Sequence, residues 1–159
     1  MTGVQTCALP ILVGQKLIVR MDGHTPSAAL TGRIQRGEIG GVILFSWNFR
    51  GAQGLTQLTR NLQAIARDAG RPPLFIAVDQ EGGGIRRLPW AEPVNQAAVM
   101  GARLSVAAVR RVGRATGTAL AAAGVNLNLA PVADTPRAPS GFMYDAGRTI
   151  SRTSARTAR

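Results

Sequence analysis

The chain has 159 residues, 19 Lys+Arg against 8 Asp+Glu, and a formal net charge of +11 at pH 7, a length that holds one domain at most. Its 39 Leu, Ile, Val and Phe residues exceed the roughly one-fifth share below which chains stay disordered, so a hydrophobic core is expected. One cysteine (Cys7) and one histidine (His24) exclude an internal disulfide framework and a Cys/His zinc site, and no apolar run approaches the roughly 18 residues of a membrane span.

The positive balance does not read as a nucleic-acid footprint. Charged residues are only 17% of the chain and aromatics 4%, and the arginines are scattered rather than interleaved with stacking rings. The charge arises mainly from scarce acids, and no nucleic-acid partner is expected.

Residues 1–11 lack the positive start of a secretory signal and read as a non-native leader. Residues 15–22, bounded by Gly14 and Gly23, suit a first strand. Thr25-Pro26 then offers a helix cap followed by proline at the first helical position, with Leu30 and Ile34 four apart and Gly37 as a stop. Gly40-Gly41-Val42-Ile43-Leu44-Phe45 is a continuous apolar run of the kind buried on both faces of a parallel sheet. In residues 55–69 the positions Leu55, Leu58, Leu62, Ile65, Ala66 and Ala69 hold one helical stripe, which Gly70 can close.

Pro72-Pro73 prevents continuation, and residues 74–78 form a second apolar strand. A further helix over residues 105–123 carries Val106, Val109, Val112, Thr116, Leu120 and Ala123 on one side, with Gly113 and Gly117 small enough to let it approach a sheet closely. Residues 125–130 are a third strand candidate, ending at Pro131-Val132-Ala133-Asp134. Residues 151–159 read as a basic irregular tail.

Strands alternating with amphipathic helices imply the α/β class, with right-handed crossovers and a parallel sheet. The length accommodates about half of a (β/α)8 barrel or a small doubly wound sheet. In either, the informative residues follow each strand's carboxyl end. Asp79-Gln80-Glu81-Gly82-Gly83-Gly84-Ile85-Arg86-Arg87 places two carboxylates, three glycines and two arginines together. In extended chain, Asp79 and Glu81 point to one face, separated by about 6 to 7 Å.

Such a pair could bind a metal, run acid/base chemistry or grip sugar hydroxyls. The bland alternative is a flexible glycine turn whose acids pair with Arg86 and Arg87 at the surface. No Gly-x-Gly-x-x-Gly phosphate cradle is present, and Ser46, Ser105 and Ser140 sit in no Gly-x-Ser-x-Gly elbow. His24 has no Ser or Asp arrangement to orient it, and Asp134 is equally a turn carboxylate.

Three segments together resemble the N-terminal half of the catalytic barrel of glycoside hydrolase family 3, in its bacterial β-N-acetylhexosaminidase branch. They are Gly40 to Phe45 with Asn48; Ile76-Ala77-Val78-Asp79-Gln80-Glu81-Gly82-Gly83 with Ile85 and Arg87; and Gly124-Val125-Asn126 through Leu129-Ala130-Pro131-Val132 and Asp134, with Gly147-Arg148-Thr149. The resemblance covers residues 12–150 and implies the N-terminal half of a TIM (β/α)8 barrel. It also implies retaining hydrolysis of a terminal β-linked N-acetylglucosamine through a covalent glycosyl-enzyme. The substrate is then a carbohydrate with terminal N-acetylglucosamine, and no metal or cofactor is expected.

By position, Asp79, Arg87 and Arg148 match residues that line the sugar pocket. Spacing alone would offer Asp79 and Asp134 as an acid and nucleophile pair. The resemblance implies otherwise: an Asp nucleophile on a late strand and a His acid/base beyond a Lys-His-Phe-Pro-Gly segment, neither among these residues. A β-glucosidase of the same family and a basic nucleic-acid-binding module are the alternatives.

Overall fold

The computed structural model describes residues 11–136 and 141–152. Residues 1–10 of the expected leader and 153–159 of the expected tail lie outside the described residues. The chain divides into two compact units, residues 1–78 with 122–127, and residues 79–121 with 128–159.

The first unit is built on three parallel strands, β1 (Ile18–Arg20), β2 (Gly41–Ile43) and β3 (Phe75–Val78), in the register Ile18↔Gly41↔Phe75 and Val19↔Val42↔Ile76. Successive side chains of a strand point to opposite faces. Val42 and Ile76 share the fully buried face, whereas Ile18 and Phe75 stand on the other face 39% and 51% exposed. Gly41 lies between these two, and a Cβ there would meet the Phe75 backbone and the Ile18 side chain. The run of residues 74–78 is therefore buried at every position except Phe75, with Ala77 on the Phe75 face fully buried.

Two helices supply the apolar surface of this unit, α1 (Ala28–Arg36) and α2 (Gly51–Asp68). Leu30 and Ile34 of α1 are buried as their spacing predicts, and Gly37 ends the helix in the left-handed conformation at φ 75°. The cap is Ser27, whose hydroxyl accepts the Leu30 N–H at 3.2 Å, so the expected start at Thr25-Pro26 lies two residues early. In α2 the stripe Leu55, Leu58, Leu62 and Ala66 is buried, and Gly70 follows at φ 67°.

The third expected strand is reduced to β6 (Leu127–Asn128), and the sheet order is β1-β2-β3-β6. Asn126 explains part of the shortening: its side chain takes the place of backbone, accepting the Ile76 N–H at 2.7 Å and donating to the Leu74 carbonyl at 3.0 Å. Sheet neighbours that follow chain order, with a helix after each strand, are the winding of a TIM-type barrel. A doubly wound sheet reverses its order at a switch point.

The second unit holds an antiparallel hairpin of β4 (Gln80–Gly82) and β5 (Ile85–Arg86). It also holds helices α3 (Ala97–Arg103), α4 (Val106–Ala122) and α5 (Phe142–Asp145). Helix α3 was not foreseen. Thr116 and Leu120 of α4 are buried, but Val106 is exposed and nothing lies within 4 Å of a Cβ built at Gly113 or Gly117. These two glycines line a cavity of about 300 Å³, with Val109, Val112, Pro131 and Val132.

Candidate functional site

The chain leaves β3 at the fully buried Val78 and turns directly into the β4–β5 hairpin. Gly82 takes φ 100°, which L side chains rarely adopt, and a Cβ there would collide with the Asn95 carbonyl; Gly83 takes φ 58° and donates its N–H to the Val94 carbonyl at 3.1 Å. The glycines thus form a packed turn rather than a flexible one. That turn carries Arg87 back to Asp79.

Arg87 donates from its terminal nitrogen to Asp79 Oδ2 at 3.1 Å, with about a fifth of each side chain exposed. Arg86 does not meet an acid. Its guanidinium donates to the Ala91 carbonyl at 3.0 Å and to the Pro89 carbonyl. Glu81 reaches Arg148, 67 positions along the chain. Arg148 Nε donates to Oε2 at 2.9 Å and a terminal nitrogen to Oε1 at 2.6 Å, a two-point fork that fixes the guanidinium plane. The Glu81 hydrogen bonds are the largest influence raising the Arg148 pKa, and the nearby carboxylates of Asp79 and Asp134 act in the same direction.

The structure therefore gathers all three residues named from the sequence, Asp79, Arg87 and Arg148, in one unit. Asp79 meets Arg87 through Oδ2, leaving Oδ1 outside that ion pair, and Arg148 has donors beyond those facing Glu81. Such a set can accept and donate hydrogen bonds to vicinal hydroxyls. His24 is exposed after β1, and Asp134 is exposed after β6. Among the described residues no group of three or more His, Cys, Asp and Glu is placed to hold a metal ion, and no helix is long and apolar enough to cross a membrane.

Sequence reasoning passed over two amides. Gln80 is 1% exposed, and its side chain accepts the Leu88 N–H at 2.9 Å and donates to the Leu88 and Glu92 carbonyls at 3.1 Å each. Asn128 in turn accepts the Gln80 N–H at 3.0 Å and donates to its carbonyl at 3.4 Å. The available signal was alternation: Asn126 and Asn128 are polar positions two apart in an otherwise apolar strand.

The sheet order of the first unit defines an α/β protein with the winding of a TIM-type barrel. Residues 12–154 match the model of the glycosyl hydrolase family 3 N-terminal domain, and the chain belongs to that family. It is 30% identical over 145 residues to an uncharacterized secreted glycosyl hydrolase of Arthroderma benhamiae, covering 89% of this chain and 40% of that protein. It is 36% identical over 103 residues to a beta-hexosaminidase of Nitrosomonas eutropha, covering 60% and 28%. A family 3 beta-N-acetylglucosaminidase from Paenibacillus superposes with a TM-score of 0.86 at 28% identity, over 94% of this chain and 28% of that one. The chain thus spans between about a quarter and two fifths of the length of these relatives.

Proposed function

We propose that this chain forms the sugar-holding face of a retaining glycoside hydrolase that removes terminal β-linked N-acetylglucosamine. Asp79, Arg87 and Arg148 hold the terminal sugar. The observation that carries this reading is the paired constellation of the second unit, Asp79 with Arg87 and Glu81 with Arg148. It joins a likeness to proteins described as beta-hexosaminidases.

In this role Asp79 accepts hydrogen bonds from ring hydroxyls while Arg87 screens its charge and donates to the same ligand. Arg148, held flat by Glu81, presents its remaining N–H groups. None of these groups supplies the nucleophile or the acid/base. The family resemblance implies that both come from residues outside these 159, so the 159 residues alone should not turn substrate over.

Hydrogen bonds to a charged partner contribute about 1.5 to 3 kcal/mol each, or one to two decades in affinity. Asp79→Ala in the full-length protein should accordingly lower kcat/KM on an aryl β-N-acetylglucosaminide by about two decades, with the fold retained. An unchanged kcat/KM would refute the assignment. A preference for the aryl β-glucoside would move the substrate to the β-glucosidase alternative.

A further inference from the structure

We propose that Gln80 is a positioning residue for the sugar-binding pair: it sets where Arg87 stands beside Asp79 by gripping the chain immediately after Arg87. The inference rests on the reading that Asp79 and Arg87 hold the sugar.

The argument begins with what Arg87 needs. A guanidinium on a flexible stem donates usefully to a ligand only where its backbone is held, because freezing a long side chain opposes binding. Arg87 directly follows β5, a strand of two residues. Its next neighbour, Leu88, is fully buried, and both backbone polar groups of Leu88 are taken by Gln80: the N–H at 2.9 Å and the carbonyl at 3.1 Å. A primary amide satisfies a donor and an acceptor of one residue at once from two separate atoms, which an ionised carboxylate, an acceptor only, does not. The same Nε2 extends to the Ala91 carbonyl at 3.4 Å and the Glu92 carbonyl at 3.1 Å, so one side chain gathers the turn over residues 88–92.

Gln80 is itself fixed. Asn128 brackets its backbone with two side-chain hydrogen bonds, and Arg86 holds the outer side of the same turn through the Ala91 and Pro89 carbonyls. Asp79 precedes Gln80 in the chain and Arg87 precedes Leu88. A single amide at residue 80 that grips residue 88 therefore ties together the backbones on which the two paired charges stand. Gln80 needs no contact with ligand, since it acts through the pair.

Two readouts separate this role from one of merely filling the interior. A residue that positions a binding group changes KM, whereas one that only supports folding lowers the active fraction and hence kcat with KM unchanged. A residue that works through Arg87 also has nothing left to do once Arg87 is gone, so the two effects should not add.

The experiment is a double-mutant cycle in the full-length protein on an aryl β-N-acetylglucosaminide, with Gln80→Met, which keeps the volume and removes the amide, Arg87→Ala, and both together. Gln80→Met should raise KM about tenfold with kcat within about twofold, and should add less than about twofold in the Arg87→Ala background. A fall in kcat at constant KM overturns the proposal, as does a full tenfold penalty in the Arg87→Ala background. If Gln80→Met does not fold, Gln80→Glu is read by the same two criteria, since its carboxylate still accepts from Leu88 but faces three carbonyl oxygens. Failure of both to fold assigns Gln80 to the fold and overturns the proposal. An Arg87→Ala variant with unchanged KM removes the sugar-binding reading itself, an outcome distinct from additivity between the two sites.

Discussion

Glu81 is the one acid buried among the described residues, with 7% of its side chain exposed, and one guanidinium engages both its oxygens. Removing one partner of a buried ion pair costs about 3 to 5 kcal/mol because the other charge is left uncompensated. Arg148 keeps about a quarter of its side chain in solvent, so the lower end applies. Glu81→Ala should destabilise the chain by about 2 to 3 kcal/mol in urea unfolding, and Glu81→Gln by less, since it retains an acceptor. Equal losses would mean that the fork geometry is irrelevant. Asp79 and Arg87 were legible because chemistry crowds behind an apolar strand, and nine consecutive residues place both halves of that pair. The Glu81 partnership was not, since a separation of 67 residues is closed only by tertiary packing. Gln80 escaped for another reason: an uncharged amide between two acids reads as a spacer, and its value lies in backbone groups that no pattern of side chains reports.

The β4–β5 hairpin depends on one glycine more than on the others. Gly82 combines a φ of 100° with a Cβ position already occupied by the Asn95 carbonyl, while Gly84 has nothing within 4 Å and no positive φ. Backbone strain of this kind costs about 1 to 3 kcal/mol before any steric clash. Gly82→Ala should therefore lower thermal stability by at least ~2 kcal/mol and Gly84→Ala should be near neutral, a contrast that melting curves of the two variants decide. Three adjacent glycines look alike in sequence, and only the packed turn distinguishes them. Helices α1 and α2 were legible because their apolar spacing is a local property that burial then uses. The start of α1 was misplaced because Thr25-Pro26 and Ser27 are all plausible caps, and the hydroxyl that reaches the Leu30 N–H decides between them. At Gly113 and Gly117 of helix α4, small residues permit close approach but do not compel it. Strand β6 came out short because side-chain amides of Asn126 and Asn128 replace part of its ladder.

At the scale of the whole molecule, alternating strands and helices suited either a barrel or a doubly wound sheet, and only the sheet order β1-β2-β3-β6 separates them. Strand order is a global property to which no local pattern is tied. The exposed row of Ile18 and Phe75 is what that winding implies, since barrel strands turn one face to the helices and fill the interior with the other. The chain also carries a net +11, yet each acid of the proposed sugar-holding cluster is matched by its own arginine, Asp79 by Arg87 and Glu81 by Arg148. The two pairs cancel internally, so this cluster is close to electrically neutral within a strongly cationic chain. Salt screens exposed charges over about 10 Å at 0.1 M but has little to act on in a neutral, partly buried set. KM of the full-length protein for an uncharged aryl glycoside should accordingly vary less than about twofold between roughly 0.05 and 0.5 M salt, whereas retention on DNA should fall steeply over the same range. Ionic strength thus distinguishes a net positive charge, whose reach salt shortens, from two ion pairs whose charges already cancel.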